Sequence, residues 1–228
     1  CYTRTHFRRN VIYRFVRKNK MRYIDQEQKL LVEVLLIFLL PILLIKYELI
    51  PANLRLIVLT LGVIAVAIII VREKWNTKDI GFRFDNLQSA LPSYLYFTLF
   101  GLLMLFVYAQ ILELPSLRVL GGGDAELKLL LTFLPISFFQ EFLYRGFLMR
   151  MLSKIFSPDR HTIIFINALL FALLHIIYPH QLFILPLTFV GGLAFATIYD
   201  RKPNLILISI AHSILNYAAL TLGFFIIS

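Results

Sequence analysis

Seven apolar runs, at about 31–45, 54–71, 90–112, 128–154, 161–178, 181–199 and 203–227, follow one another with only short polar breaks between them. Soluble domains are roughly 45 to 50% apolar, whereas this chain is 59% hydrophobic and only 16% charged. Each run approaches the ~20 residues that a helix needs to cross a bilayer, where every backbone polar group must be satisfied within its own element. The expected fold class is therefore all-α: a polytopic transmembrane helical bundle of about seven spans. The domain plan is a short tail, 1–29, followed by one bundle, 30–228.

The tail carries nine Lys/Arg, and its Phe7, Val11, Ile12, Phe15 and Val16 recur at helical spacing, which reads as an interfacial amphipathic helix. The net charge of +10 does not point to nucleic acid, because the basic residues sit in this tail and in short loops rather than in a basic module with interleaved aromatics. Arg72, Lys74, Lys78 and Arg83 fall on the same side as Arg150, Lys154 and Arg160, and as Arg201 and Lys202. By the positive-inside rule that side and the N-terminus are cytoplasmic, and Ser228 lies outside. The partners expected are the lipid bilayer and a membrane-associated peptide or protein. Cys1 is the only cysteine, so no internal disulfide and no thiol site is available to the bundle. The stretch 115–125, with three consecutive glycines, separates a plain N-terminal half from a C-terminal half that holds the polar residues.

In the fourth run Gln140, Glu141, Tyr144 and Arg145 interrupt a sequence of Leu, Phe, Ile and Met. An ionic side chain at the centre of a membrane helix costs about 2.5 to 3.5 kcal/mol, so Glu141 and Arg145 should face the interior and pair at i, i+4. His175 lies in the fifth run with Phe171 and Asn167 on its face, and His212 lies in the seventh with Asn216 one turn on. Glu141 and His175 flank the turn at 157–160 by about 15 residues each, hence roughly 20 to 24 Å, and His212 and Asn216 lie roughly 15 and 21 Å beyond the turn at 201–203. Three helices thus bring a carboxylate, two histidines and an asparagine to one level, a set suited to acid–base chemistry. Ser209 and Ser213 offer no serine-hydrolase reading, since no Gly-x-Ser-x-Gly elbow exists and helical serines bond back to the preceding turn.

Three motifs, Gln140-Glu141-x-x-x-Arg145, Phe171-x-x-x-His175 and His212-x-x-x-Asn216, resemble in order and spacing those of the CAAX-protease and bacteriocin-processing (CPBP) family of intramembrane peptidases, which includes Rce-type CAAX endopeptidases and bacterial Abi-like proteins. The run Gly191-Gly192-Leu193-Ala194-Phe195-Ala196 is similar to the family's approach to its last motif, and the resemblance covers about 125–220. It implies an intramembrane endopeptidase cleaving a membrane-associated peptide, by CAAX-type processing or by bacteriocin or signal-peptide maturation. Short loops and small size suggest a bacterial plasma membrane, by analogy of fold. The implied catalytic set is position 140 with His175 polarising a water, and His212 with Asn216 holding the oxyanion. Glu141 and Arg145 would orient the site, with Phe171 and Tyr144 in support. No cofactor is implied; the chemical alternative is zinc on Glu141, His175 and His212.

Position 140 departs from the family pattern, which has glutamate there, and an amide cannot take up a proton at useful pH. Three readings follow. The favoured one is a substitution introduced to silence the enzyme, because Gln is the near-isosteric choice. In the second Glu141 suffices as base; in the third the chain is a natural non-catalytic membrane scaffold that binds a partner protein.

Overall fold

The computed structural model describes residues 28–114, 124–156, 158–178 and 181–224, and every regular element among them is helical. The amphipathic helix expected over 1–29 lies outside the described residues but for its last two, and the glycine-rich break does so but for Asp124 and Ala125, which open a helix. In chain order the helices are α1 (Gln28–Lys46), α2 (Arg55–Arg72), α3 (Leu87–Ile111), α4 (Asp124–Glu141), α5 (Met149–Phe156), α6 (Arg160–Leu173), α7 (Gln181–Arg201) and α8 (Leu205–Thr221).

Five of these, α1, α2, α3, α6 extended by the 3-10 turn Leu174–Ile177, and α7, are long and apolar enough to cross a membrane. Length and composition thus mark five candidate spans among the described residues, and the expected count of about seven is not confirmed. The run at 203–227 yields the 17-residue α8, short of a full span. The run at 128–154 becomes α4 and α5 joined through a π-helix, Phe142–Leu148, and it carries Glu141, Arg145, Arg150 and Lys154. Leu61, Ile68, Leu95 and Phe100 project outward from α2 and α3, a surface for lipid and not for water.

The bundle closes around α8, which buries Leu205, Ile208, Ala211 and His212 and packs against α3 and α4. Helices α6 and α7 form the other closely packed pair. A Cβ on Gly192 would lie 3.1 Å from the Ala168 Cα, so the glycine sets how near these two backbones come.

On the basic side the segment between α2 and α3 folds into a cap. The 3-10 turn Thr77–Ile80 starts with a capping box between Asn76 and Asp79, and Gly81 ends it at φ 72°. The Tyr199 hydroxyl donates to the Ile80 carbonyl (2.8 Å), and the Leu205 amide donates to the Gly81 carbonyl (2.8 Å). Asn204 and Asn86 bond each other (2.7 Å), Asn86 also donates to the Pro203 carbonyl, and the Tyr94 hydroxyl donates to that of Lys202. Trp75 lies under the Arg150 guanidinium and the Lys154 ammonium, and Arg150 pairs with Asp79. Outside the membrane segments, hydrogen bonds from Arg83 and then Lys78 hold the exposed Asp85 carboxyl below the usual carboxylate range. Bonds from Thr162 do the same for Asp159, the N-cap of α6.

Gly81 satisfies two demands, a left-handed backbone and room for the Tyr199 hydroxyl where a Cβ would sit. Gly81→Ala should therefore destabilise the protein by more than the ~1–2 kcal/mol of the backbone conformation alone, read as thermal unfolding in detergent. Adding Tyr199→Phe should recover part of that loss, since the hydroxyl is the group in the way.

Candidate active site

The π-helix is what sets the site apart from the rest of the bundle. Its wider turn ends with the Met149 amide donating to the Tyr144 carbonyl five residues back, and that carbonyl also accepts from Asn167 Nδ2 (2.6 Å). Such stretches are rare and concentrate at functional sites. Glu141 stands at its start and Arg145 one turn inside it, and both side chains are withdrawn from solvent (0% and 1% exposed).

Arg145 Nη1 meets Glu141 Oε1 at 3.3 Å, and Nη2 donates to the Gly192 carbonyl at 3.3 Å. The guanidinium lies 4.2 Å from the centroid of the Phe171 ring and 5.3 Å from that of Phe195. The charge is thus held by a carboxylate, a carbonyl and two aromatic faces. The same Oε1 accepts from Nδ1 of His212 at 2.7 Å, while Oε2 has no hydrogen-bond partner among the described residues. Glu141 therefore links the π-helix to α8.

His175 sits on the 3-10 turn that ends α6, not on the regular helix its spacing suggested. Its Nδ1 bonds the Phe171 carbonyl at 3.0 Å. A carbonyl only accepts, so Nδ1 carries a proton, and in the neutral form of the ring Nε2 holds the lone pair. Phe171 stacks edge-on to His175, to His212 and to Tyr144, with ring centroids 5.1, 5.6 and 5.3 Å apart. His175, His212 and Asn216 then line one cavity of about 200 Å³ whose other walls, including Phe97, Leu187, Phe195 and Leu215, are apolar apart from Thr188.

Of the residues singled out from the sequence, the fold gathers Glu141, Arg145, His175, His212 and Asn216, with Phe171 among them and Tyr144 behind it. Gln140 is half-buried on α4, is not part of the cavity wall, and makes no hydrogen bond among the described residues. Ser209 bonds back to the Leu205 carbonyl, as a helical serine should. Two participants lay outside the sequence reading of the site. Ser137, fully buried, accepts from Asn216 Nδ2 at 3.4 Å; it lies one turn before Glu141, and that spacing is the signal that would have found it. Phe195 places its ring 5.0 Å from that of His212; the sequence marks it only as a member of the run Gly191–Ala196 and gives it no role in the site. Of the three ligands in the zinc alternative, Glu141 and His212 touch each other. No group of three or more His, Cys, Asp or Glu suited to a metal ion is found among the described residues.

A helical membrane bundle with a carboxylate, an arginine and two histidines sealed in its interior defines a class of membrane proteins with buried acid–base sites. Within it, residues 124–218 match the family model described as type II CAAX prenyl endopeptidase Rce1-like. The match contains Glu141, Arg145, Phe171, His175, His212 and Asn216 and agrees with the motif resemblance. No curated protein and no solved structure matches the chain.

Removing one member of a buried ion pair strands the other charge and costs about 3–5 kcal/mol, whereas replacing both can be nearly neutral. Glu141→Gln and Arg145→Met should each lower the unfolding temperature sharply, and the double substitution should lower it by less than the sum. A thermal double-mutant cycle in detergent checks this coupling.

Proposed function

We propose that this chain is an intramembrane endopeptidase in which His175 activates a water against a peptide carbonyl held in the apolar cavity. The observation that carries the reading is the convergence of His175, His212 and Asn216 on that cavity, with Glu141 behind His212. The Rce1-like match supports a membrane-associated substrate, and a peptide of CAAX type is the class we propose. Maturation of a bacteriocin or signalling peptide would use the same chemistry.

Peptide hydrolysis needs a base for water, donors for the tetrahedral oxyanion and a proton for the leaving amine. The lone pair on His175 Nε2 takes the water proton as the water oxygen attacks the carbonyl carbon. The same nitrogen returns that proton to the amine as the C–N bond breaks. His212 keeps its Nδ1 proton in a hydrogen bond to Glu141, so that a proton on Nε2 as well would make the ring a charged donor to the oxyanion, and the Asn216 amide offers a second. Ser137 restrains the Asn216 side chain from behind. Arg145 balances the Glu141 charge, and its carbonyl and aromatic contacts keep it in place without water.

Glutamine at position 140 favours a second reading, a scaffold that binds a partner through this cavity without cleaving it. Gln140→Glu distinguishes the two. A glutamate there, beside the site, should raise cleavage of a membrane-associated reporter peptide by about 10²- to 10⁴-fold. Equal turnover by both forms would leave His175 as the sole base, and no turnover by a well-folded Gln140→Glu protein would favour the scaffold.

Asn216→Ala on that background separates an oxyanion donor from a packing residue. Turnover should fall about 10²- to 10³-fold with little change in KM, because the oxyanion exists only in the transition state. A bond that merely bridges helices is worth about 0.6 kcal/mol, so a destabilised variant with near-normal turnover would remove Asn216 from the mechanism.

A further inference from the structure

Two glycines line the cavity that holds His175 and His212, Gly101 on α3 and Gly191 on α7, and different causes put them there. A Cβ on Gly101 would lie 2.9 Å from the Leu215 side chain, so that glycine makes room for a neighbour. Gly192 is likewise required by α6, whose Ala168 it meets. A Cβ on Gly191 would meet nothing within 4 Å. Nor does its backbone call for glycine, because it lies inside the helix Gln181–Arg201 and its φ is not positive. Glycine in a membrane helix is ordinarily explained by the close approach of another backbone. In a helix interior it is less stable than alanine. Gly191 therefore carries a helix penalty that no packing contact offsets, and what it leaves is space.

That space opens into the cavity. The residues of α7 on the cavity wall include Ile184, Leu187, Thr188, Gly191, Ala194 and Phe195, a stripe spaced by helical turns with Gly191 near its middle. Phe195, one turn on, holds its ring 5.0 Å from that of His212. Thr188, nearly one turn back, commits its hydroxyl to the Ile184 and Leu185 carbonyls. The volume beside Gly191 is thus apolar and lies roughly 6 Å along the helix axis from the residue whose ring touches His212. An apolar cavity of about 150 Å³ takes up a benzene molecule. This one measures about 200 Å³, so it has room for one aromatic or large branched side chain beside the histidines. A side chain grown at position 191 would take that room.

We propose that Gly191 is a specificity-determining residue: by presenting no side chain, it lets the cavity seat one phenylalanine- or leucine-sized side chain of the bound peptide next to the reacting bond. This rests on the reading of the cavity as a peptide site. A larger residue at position 191 shifts the choice towards smaller side chains. It does so without displacing His175, His212 or Asn216, since a Cβ there has no neighbour to push.

Photocapture tests this without turnover. The unaltered chain and its Gly191→Ala and Gly191→Leu variants, in phosphatidylcholine nanodiscs, are irradiated with a pool of apolar ten-residue peptides that carry an N-terminal diazirine and differ only at one central position, Ala, Leu or Phe. Cross-linked products are then counted by mass. The unaltered chain should capture the Phe and Leu peptides about tenfold more than the Ala peptide, and Gly191→Leu should abolish that preference while capture of the Ala peptide stays within about twofold. Gly191→Ala should fall between the two, and should unfold about 2–4 °C above the unaltered chain, as a helical glycine without a packing role allows. Its added methyl meets nothing, so it carries the test alone if Gly191→Leu does not fold. No size preference in the unaltered chain, a preference that survives the substitutions, an equal loss of all three peptides, or a lower unfolding temperature for Gly191→Ala each overturns the proposal while leaving the cavity a peptide site. Capture of none of the peptides by the unaltered chain would instead refute that underlying reading, and this proposal with it.

Discussion

A carboxylate without access to water has to be held by its neighbours, and at Glu141 one oxygen takes both Arg145 and His212. That sharing ties three parts of the molecule together. Arg145 reaches on to the Gly192 carbonyl, so α7 is fastened to the π-helix, and His212 brings α8 to the same point. The aromatic rings of Phe171 and Phe195 close over the guanidinium and leave the two imidazoles facing the cavity. An isolated charge at this depth would be expelled or neutralised. The paired arrangement is tolerated because each charge has a partner.

Each histidine has one ring nitrogen committed to a protein acceptor, Phe171 O for His175 and Glu141 for His212. That commitment fixes the ring plane and frees the other nitrogen. The difference between the acceptors matters: a neutral carbonyl favours a neutral imidazole suited to take a proton, and a carboxylate favours an imidazole that also donates. One fold thus gives two chemically similar side chains distinct electrostatic surroundings. The distinction is the physical basis for assigning them different steps.

Much of this was legible in the sequence. Apolar runs of membrane length give helices and little else, and the cost of Glu141 and Arg145 among Leu and Phe required that they be inward and paired. The depth of each polar residue below its flanking turn placed His175, His212 and Asn216 near Glu141, and they are near it. What the sequence could not carry was geometry that depends on neighbours. Nothing in Phe142–Leu148 distinguishes a π-helix from an α-helix, because the wider turn is stabilised by Asn167 from another helix. The 3-10 tightening under His175 is equally invisible to a periodicity of 3.6. Hydropathy alone does not tell whether α8 spans, since a helix buried by its neighbours looks as apolar as one facing lipid. Ser137 went unnoticed because a serine in a membrane helix is ordinary until its partner is known.

The hydrogen bonds from Tyr94 and Asn86 to the turn after α7 also act mechanically. They pin the first turns of α3 to the end of α7 on the basic side, while nothing comparable joins those helices farther along among the described residues. Any parting of the pair is therefore a pivot about that pin. Met104, ten residues beyond Tyr94, lies roughly 15 Å from the fulcrum, so a tilt of about 10° would move it by roughly 2.6 Å and the pinned end hardly at all. The end of the pair near Met104 is the long arm of this lever and the end held by Tyr94 its fixed point.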